Sequence, residues 1–203
     1  MRIVDLTVPI TQEMEVFPGD PEVEFVPVAQ MPQEPCRVTK LTFGSHTGTH
    51  MDAPAHMLEN GPTLDEYPPD YFMGRAQVFP WDTDFGQVDL AGLDYVLLDF
   101  DWADKRETPA FYQNIPAVDS RTAAILSISG LKGVGMDTPS VDNGDTELVN
   151  HRILLDSGLV IVEGLRNLKA LGQKPFQLVA LPLLWQRADG APCRVVGILE
   201  EEP

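Results

Sequence analysis

Cysteine pairs, long apolar runs and positive charge are what this 203-residue chain has little of. Only Cys36 and Cys193 are present, and no Cys-x-x-Cys occurs. Two thiols do not make a disulfide framework, and neither a zinc ribbon nor a dithiol redox motif is available. No stretch approaches the roughly 18 uninterrupted apolar residues of a membrane-spanning helix. The opening MRIVDLTVPI has one basic side chain, an acid at Asp5 and no extended apolar region, so it does not read as a signal peptide. A cytoplasmic protein is the expectation. Lys and Arg number 14 against 31 Asp and Glu, a formal net charge of −17. So acidic a surface repels phosphate backbones and anionic headgroups, which argues against nucleic acid and membrane as partners. There is no Gly-x-Gly-x-x-Gly phosphate loop, no Gly-x-Ser-x-Gly nucleophile elbow, no repeat and no low-complexity tract.

What remains is the composition of an ordinary globular chain, 43% hydrophobic and 22% charged. The length suits one domain over residues 1–203 with a sizeable core. Eighteen prolines spread along the chain point to many loops and short elements. Strands are expected at Ile3 to Pro9, Val38 to Phe43, Ala76 to Phe79, Tyr95 to Phe100, Val134 to Met136, Leu159 to Val162, Phe176 to Leu181 and Cys193 to Leu199. Residues 11–27, with Pro18, Gly19 and Pro21, read as a turn-rich excursion, and 44–57 as non-helical backbone. Residues 58–74 read as a loop with a short helix. Asp119 caps a helix running to Ser129. A second helix is expected from Thr146 to Ser157, capped by Asp145 and closed by Gly158, with Leu148, His151 and Leu155 on one face. The pattern is mixed α/β, a curved or barrel-like β core with helices outside.

The informative feature is where the histidines lie. Three of the four fall in eleven residues, His46-Thr-Gly-Thr-His50-Met-Asp52-Ala-Pro54-Ala-His56, and the fourth is His151. Imidazole and carboxylate together are the donors of a zinc or manganese site. From His50 to His56 the polar residues and Pro54 recur every second position, one side of an extended chain. Pro54 excludes an ordinary helix, and the Glu of His-Glu-x-x-His is missing. Gly48 permits a tight turn or a close approach to an ion. Spacing alone leaves open a metal site, a non-metal triad or a chance cluster. By itself His151 also reads as a buried structural histidine, and Glu163 as an exposed strand end.

At these residues the chain resembles the "putative cyclase" family of metal-dependent hydrolases, which includes bacterial kynurenine formamidases (arylformamidases) and isatin hydrolases. His46-x-Gly48-Thr49-His50-x-Asp52-x-Pro54-x-His56 is similar to the family signature. Phe17-Pro18-Gly19-Asp20 resembles its N-terminal turn, and Gly135-Met-Asp-Thr-Pro-Ser-Val-Asp142 its central loop. Leu181-Pro-Leu183 and Asp189-Gly-Ala-Pro192 resemble its C-terminal segment, so the likeness runs end to end. The resemblance implies a swivelling β/β/α fold and a homo-oligomer, dimer or tetramer. It implies two divalent ions, zinc or manganese. His46, His50 and Asp52 would hold one, Asp52, His151 and Glu163 the other, with Asp52 and Glu163 bridging and His56 free as general acid/base. The chain departs from the formamidases at Phe17, where they carry Trp against the substrate ring. Its short length fits the formamidase branch.

The expected chemistry is hydrolysis of an amide C–N bond in a small aromatic substrate. Water activated by the metal would attack the acyl carbon, and His56 would pass a proton to the leaving nitrogen. N-formyl-L-kynurenine would yield formate and L-kynurenine. The rivals are opening of a cyclic amide such as isatin, of an imide or of a lactone, a polyketide-type cyclisation, and a metal-binding protein without turnover. A pure ion binder gains little from His56 outside the ligand sets.

Overall fold

The structure is a computed structural model that describes residues 1–106, 108–144 and 147–200. Among the described residues, ten strands and two α-helices are connected by loops and 3₁₀ turns. The strands are β1 (Arg2–Asp5), β2 (Glu24–Ala29), β3 (Val38–Thr42), β4 (His50–Asp52), β5 (Met73–Pro80), β6 (Tyr95–Asp99), β7 (Gly133–Met136), β8 (Val160–Glu163), β9 (Phe176–Pro182) and β10 (Gly190–Leu199). The helices are α1 (Ser120–Ser127) and α2 (Val149–Asp156).

Seven strands close on themselves in the order β10-β4-β8-β7-β6-β5-β9, with β9 returning to β10 and β1 added beyond β10. β5 to β8 are parallel, and β4, β9 and β10 complete the ring with antiparallel pairings. β6, β7 and β8 are apolar without alternation because both of their faces are covered, whereas β5 alternates exposed and buried residues over its first half. Tyr95, Leu97, Val160 and Val162 join Met51, Leu178 and Val195 in the core of the barrel. Val96, Leu98, Val134, Met136 and Ile161 face the other way, against Ala123, Leu126, Leu154 and Leu155 of the helices. Mixed α/β with a barrel core and outer helices is therefore the architecture. β2 and β3 form a separate two-stranded sheet with most side chains exposed.

Several local expectations are corrected. The first strand stops at Asp5, whose side chain accepts from the Thr7 amide and turns the chain. The excursion before residue 27 ends in a strand from Glu24, paired with β3. Residues 58–74 hold two 3₁₀ turns, Leu64–Glu66 and Pro69–Phe72, and β5 begins at Met73. The extended run expected from His50 to His56 lasts only to Asp52. Pro54 opens a 3₁₀ turn, Pro54–His56, because its fixed φ suits the first position of a helical turn. The cap of α1 is Asp119, as expected, accepting from the Thr122 amide at 2.7 Å. α2 starts later than expected, at Val149, behind Leu148 in the left-handed region. Asp145 and Thr146 lie outside the described residues. The carboxylate meeting the first α2 amides is Asp142, accepting from Asn150 N at 2.9 Å and His151 N at 3.1 Å. Gly158 follows α2 with φ +82°, the closing position expected of it.

Candidate metal centre

Backbone pairing assembles the site. His50 and Asp52 are two residues apart on β4, so both project from one side of the strand. The ladder sets Glu163, the last residue of β8, opposite His50, and Gly190 of β10 opposite Asp52. α2 carries His151 to the same point. His50 Nε2 lies 3.3 Å from Asp52 Oδ1 and 3.5 Å from Glu163 Oε2. His151 Nε2 lies 3.4 Å from Glu163 Oε1 and 3.8 Å from Asp52 Oδ2. His46, before β4, places Nδ1 2.7 Å from Asp52 Oδ1. Gly48, at φ +73°, makes the turn between His46 and His50 that a side chain would strain.

Among the described residues, three trios bring nitrogen and oxygen donors within 4.8 Å of one another: His46, His50 and Asp52; Asp52, His151 and Glu163; and His46, His56 and Asp189. The five residues expected as ligands fall into the first two, which share Asp52. His56 sits on the 3₁₀ turn, its ring 4.1 Å from that of His46 and 5.8 Å from that of His151, centroid to centroid. Phe17 is 37% exposed and meets Tyr112 edge-on at 5.8 Å. The Tyr112 hydroxyl donates to Glu15 O at 3.1 Å.

A divalent cation fits this donor set. Asp52 is 1% exposed, and its Oδ2 has no hydrogen-bond partner among the described residues. Two buried carboxylates facing neutral imidazoles would carry an uncompensated negative charge, which is costly away from water. Protons take the cation's place in its absence. Burial opposes a charge on His46, but the hydrogen bond and charge of Asp52, with help from Asp189, raise it to about 9. Burial opposes charge on His151 too, and Asp142 and Glu163 lift it to about 10. Asp52 is held well below the carboxylate range, against its burial, by His50 and His46. His56 goes the other way: burial first, then the neighbouring imidazoles, push it below the ordinary histidine value. It is therefore neutral near pH 7 and able to accept a proton.

Two carboxylates at the site had no role in the sequence reading. Asp142 Oδ2 is 2.7 Å from His151 Nδ1, and Asp189 Oδ2 is 3.1 Å from His46 Nε2. Both lie in stretches quoted for the family resemblance, and that was their only signal. Asp137, in the same central loop, accepts from the amides of Phe100, Trp102 and Ala103 and anchors the turn after β6.

A closed barrel that gathers imidazoles and carboxylates at the ends of its strands is the architecture of a metal-dependent hydrolase. The family model described as "Putative cyclase" matches residues 4–143, and the chain belongs to that family. It is 33% identical to the kynurenine formamidase of Salinibacter ruber, over 97% of each chain. It is 30% identical to that of Bacillus cereus, over 95% of each. Among solved structures it is similar to a potential metal-dependent hydrolase with cyclase activity, with a TM-score of 0.80 at 27% identity, covering 97% of this chain and 96% of that one. It shares its fold with isatin hydrolase A from Ralstonia solanacearum, with a TM-score of 0.83 at 22% identity, covering 98% and 92%.

Proposed function

We propose that this protein is an arylformamidase-like, metal-dependent amide hydrolase that converts N-formyl-L-kynurenine and water to L-kynurenine and formate. The observation that carries the reading is the Asp52 carboxylate, buried among His46, His50 and His151 with one oxygen unpartnered. Full-length relatives named kynurenine formamidase support the substrate class.

Two divalent ions are assigned. His46, His50 and Asp52 would hold one, Asp52, His151 and Glu163 the other, with Asp52 and Glu163 shared between them. Zinc suits the nitrogen-rich donors, and manganese is the second choice. Such ions supply Lewis acidity for the acyl oxygen and lower the pKa of a nearby water to about 7. The protein's own groups do the rest. His56, neutral and outside the two assigned trios, would take a proton from the attacking water at its ring nitrogen as the C–O bond forms, and pass it to the anilide nitrogen as the C–N bond breaks. Phe17, with Tyr112 behind it, offers an apolar face to the aryl ring, smaller than the Trp of the formamidases.

A cytoplasmic homo-oligomer, dimer or tetramer, is part of the reading. Val28, Val38 and Leu41 on β2 and β3 and Leu183 and Leu184 after β9 are exposed apolar side chains that a second copy would cover. None of the described helices is long and apolar enough to cross a membrane.

The deciding experiment offers the metal-loaded protein N-formyl-L-kynurenine, N-formylanthranilate and isatin. Preferential release of kynurenine is expected. Turnover of isatin alone would move the activity to cyclic amides, and turnover of none would leave a metal-binding protein.

A further inference from the structure

The rings around the cluster do not all point the same way. His50 and His151 turn Nε2 towards Asp52 and Glu163, and each rests Nδ1 on an outer acceptor. For His50 that acceptor is Gly48 O at 3.2 Å, and for His151 it is Asp142 Oδ2 at 2.7 Å. His46 is reversed: Nδ1 faces Asp52 Oδ1 at 2.7 Å, and Nε2 faces Asp189 Oδ2 at 3.1 Å. A neutral imidazole carries one N–H, and only the other nitrogen has a lone pair for a metal. The outer acceptor therefore decides which nitrogen can ligate.

The backbone fixes the reversed ring. Ala53 N donates to Asp189 O at 2.9 Å, and the β4–β10 ladder sets Gly190 against Asp52. Gly190 has no side chain because the His46 imidazole lies against its backbone. A Cβ there would come within 2.9 Å of both ring nitrogens, closer than real contacts allow. Ser45 Oγ also donates to Asp189 Oδ2, at 3.3 Å, and steadies the carboxylate.

We propose that Asp189 and Gly190 set the tautomer of His46, so that His46 presents Nδ1 to the metal whereas His50 and His151 present Nε2. Asp189 is a positioning residue in this account. The inference rests on His46 being a ligand, and it competes with one alternative that the structure itself offers. An ion seated in the trio His46, His56 and Asp189 would take His46 through Nε2 instead.

The test is long-range ¹H–¹⁵N correlation spectroscopy on the ¹⁵N-labelled protein loaded with Zn²⁺. Only four imidazoles contribute, and the His46 ring is assigned by its loss in His46→Gln. The expected spectrum has His46 zinc-bound at Nδ1 and protonated at Nε2, with the other two bound rings ligated at Nε2. Zinc at Nε2 of His46 overturns the inference. A His46 ring that zinc leaves unchanged overturns the ligand assignment itself, which is a different failure. Asp189→Asn gives a second measurement. Its amide can donate to Nε2 and stabilise the wrong tautomer, so zinc affinity, read by competition with a chromophoric chelator, should fall about 10–100-fold. The metal-free variant should stay folded, with the circular dichroism of the parent. Unchanged zinc affinity would contradict the role of Asp189.

Discussion

Glu163 stands opposite His50 across the β4–β8 ladder, and its two oxygens diverge, Oε2 to His50 at 3.5 Å and Oε1 to His151 at 3.4 Å. The Val141 amide donates to Oε1 at 2.8 Å and fixes that orientation. One strand-end carboxylate thus serves both halves of the cluster, and Asp52 does the same from β4. Side chains placed by paired backbone are held more firmly than loop residues, which suits a centre that must keep its geometry when it is loaded.

Asp52→Ala should remove metal from both positions and abolish turnover, because each assigned trio contains this carboxylate. Elemental analysis of the folded variant checks it. Full occupancy in a protein of normal circular dichroism would refute the sharing of Asp52.

His56→Ala should retain the metal content of the parent and melt at a similar temperature. Its kcat should fall by a factor on the order of 10²–10⁴, the range for loss of a general acid/base, with a smaller change in KM. Near-normal kcat would remove the proton-transfer role. Loss of one equivalent of metal would instead place His56 in a coordination shell, as the trio with His46 and Asp189 allows.

The metal-free protein should lose stability as the pH rises. The folded-state values of His46, about 9, and of His151, about 10, lie above the unfolded histidine value. The stabilisation is therefore complete below about pH 6.5 and is lost as the pH passes through about 9 and about 10. Zinc replaces those protons, so loading at pH 8 should release at least about two per chain, with a further one from any water whose pKa the metal lowers to about 7, measurable by calorimetry in buffers of different ionisation enthalpy. Uptake without proton release would contradict the raised values.

The strands and the ligands were legible to different degrees. Apolar runs such as Tyr95 to Leu98 announced β6 because both faces of a parallel strand are buried. The extended backbone of β4 follows from the spacing of His50 and Asp52, but its place in the sheet does not, since its pairing with β8 and β10 is long-range. The histidine cluster showed in the spacing, and the family resemblance added Glu163 and His151. Asp142 and Asp189 stayed without a role. A carboxylate that orients an imidazole is defined by a contact across 9 or 143 residues, and no local pattern encodes it.

Phe17→Trp should lower KM for N-formyl-L-kynurenine with little change in kcat, because a larger face improves stacking without touching the reacting atoms. Steady-state kinetics on the two proteins decide. An unchanged or raised KM would place the substrate ring away from Phe17.

The most direct test of metal-dependent amide hydrolysis at this cluster is kynurenine formation from N-formyl-L-kynurenine as Zn²⁺ or Mn²⁺ is titrated into chelator-stripped protein. The account predicts no turnover above background without metal, and activity rising with occupancy to a plateau near two ions per chain. Full turnover by the stripped, metal-free protein would contradict it.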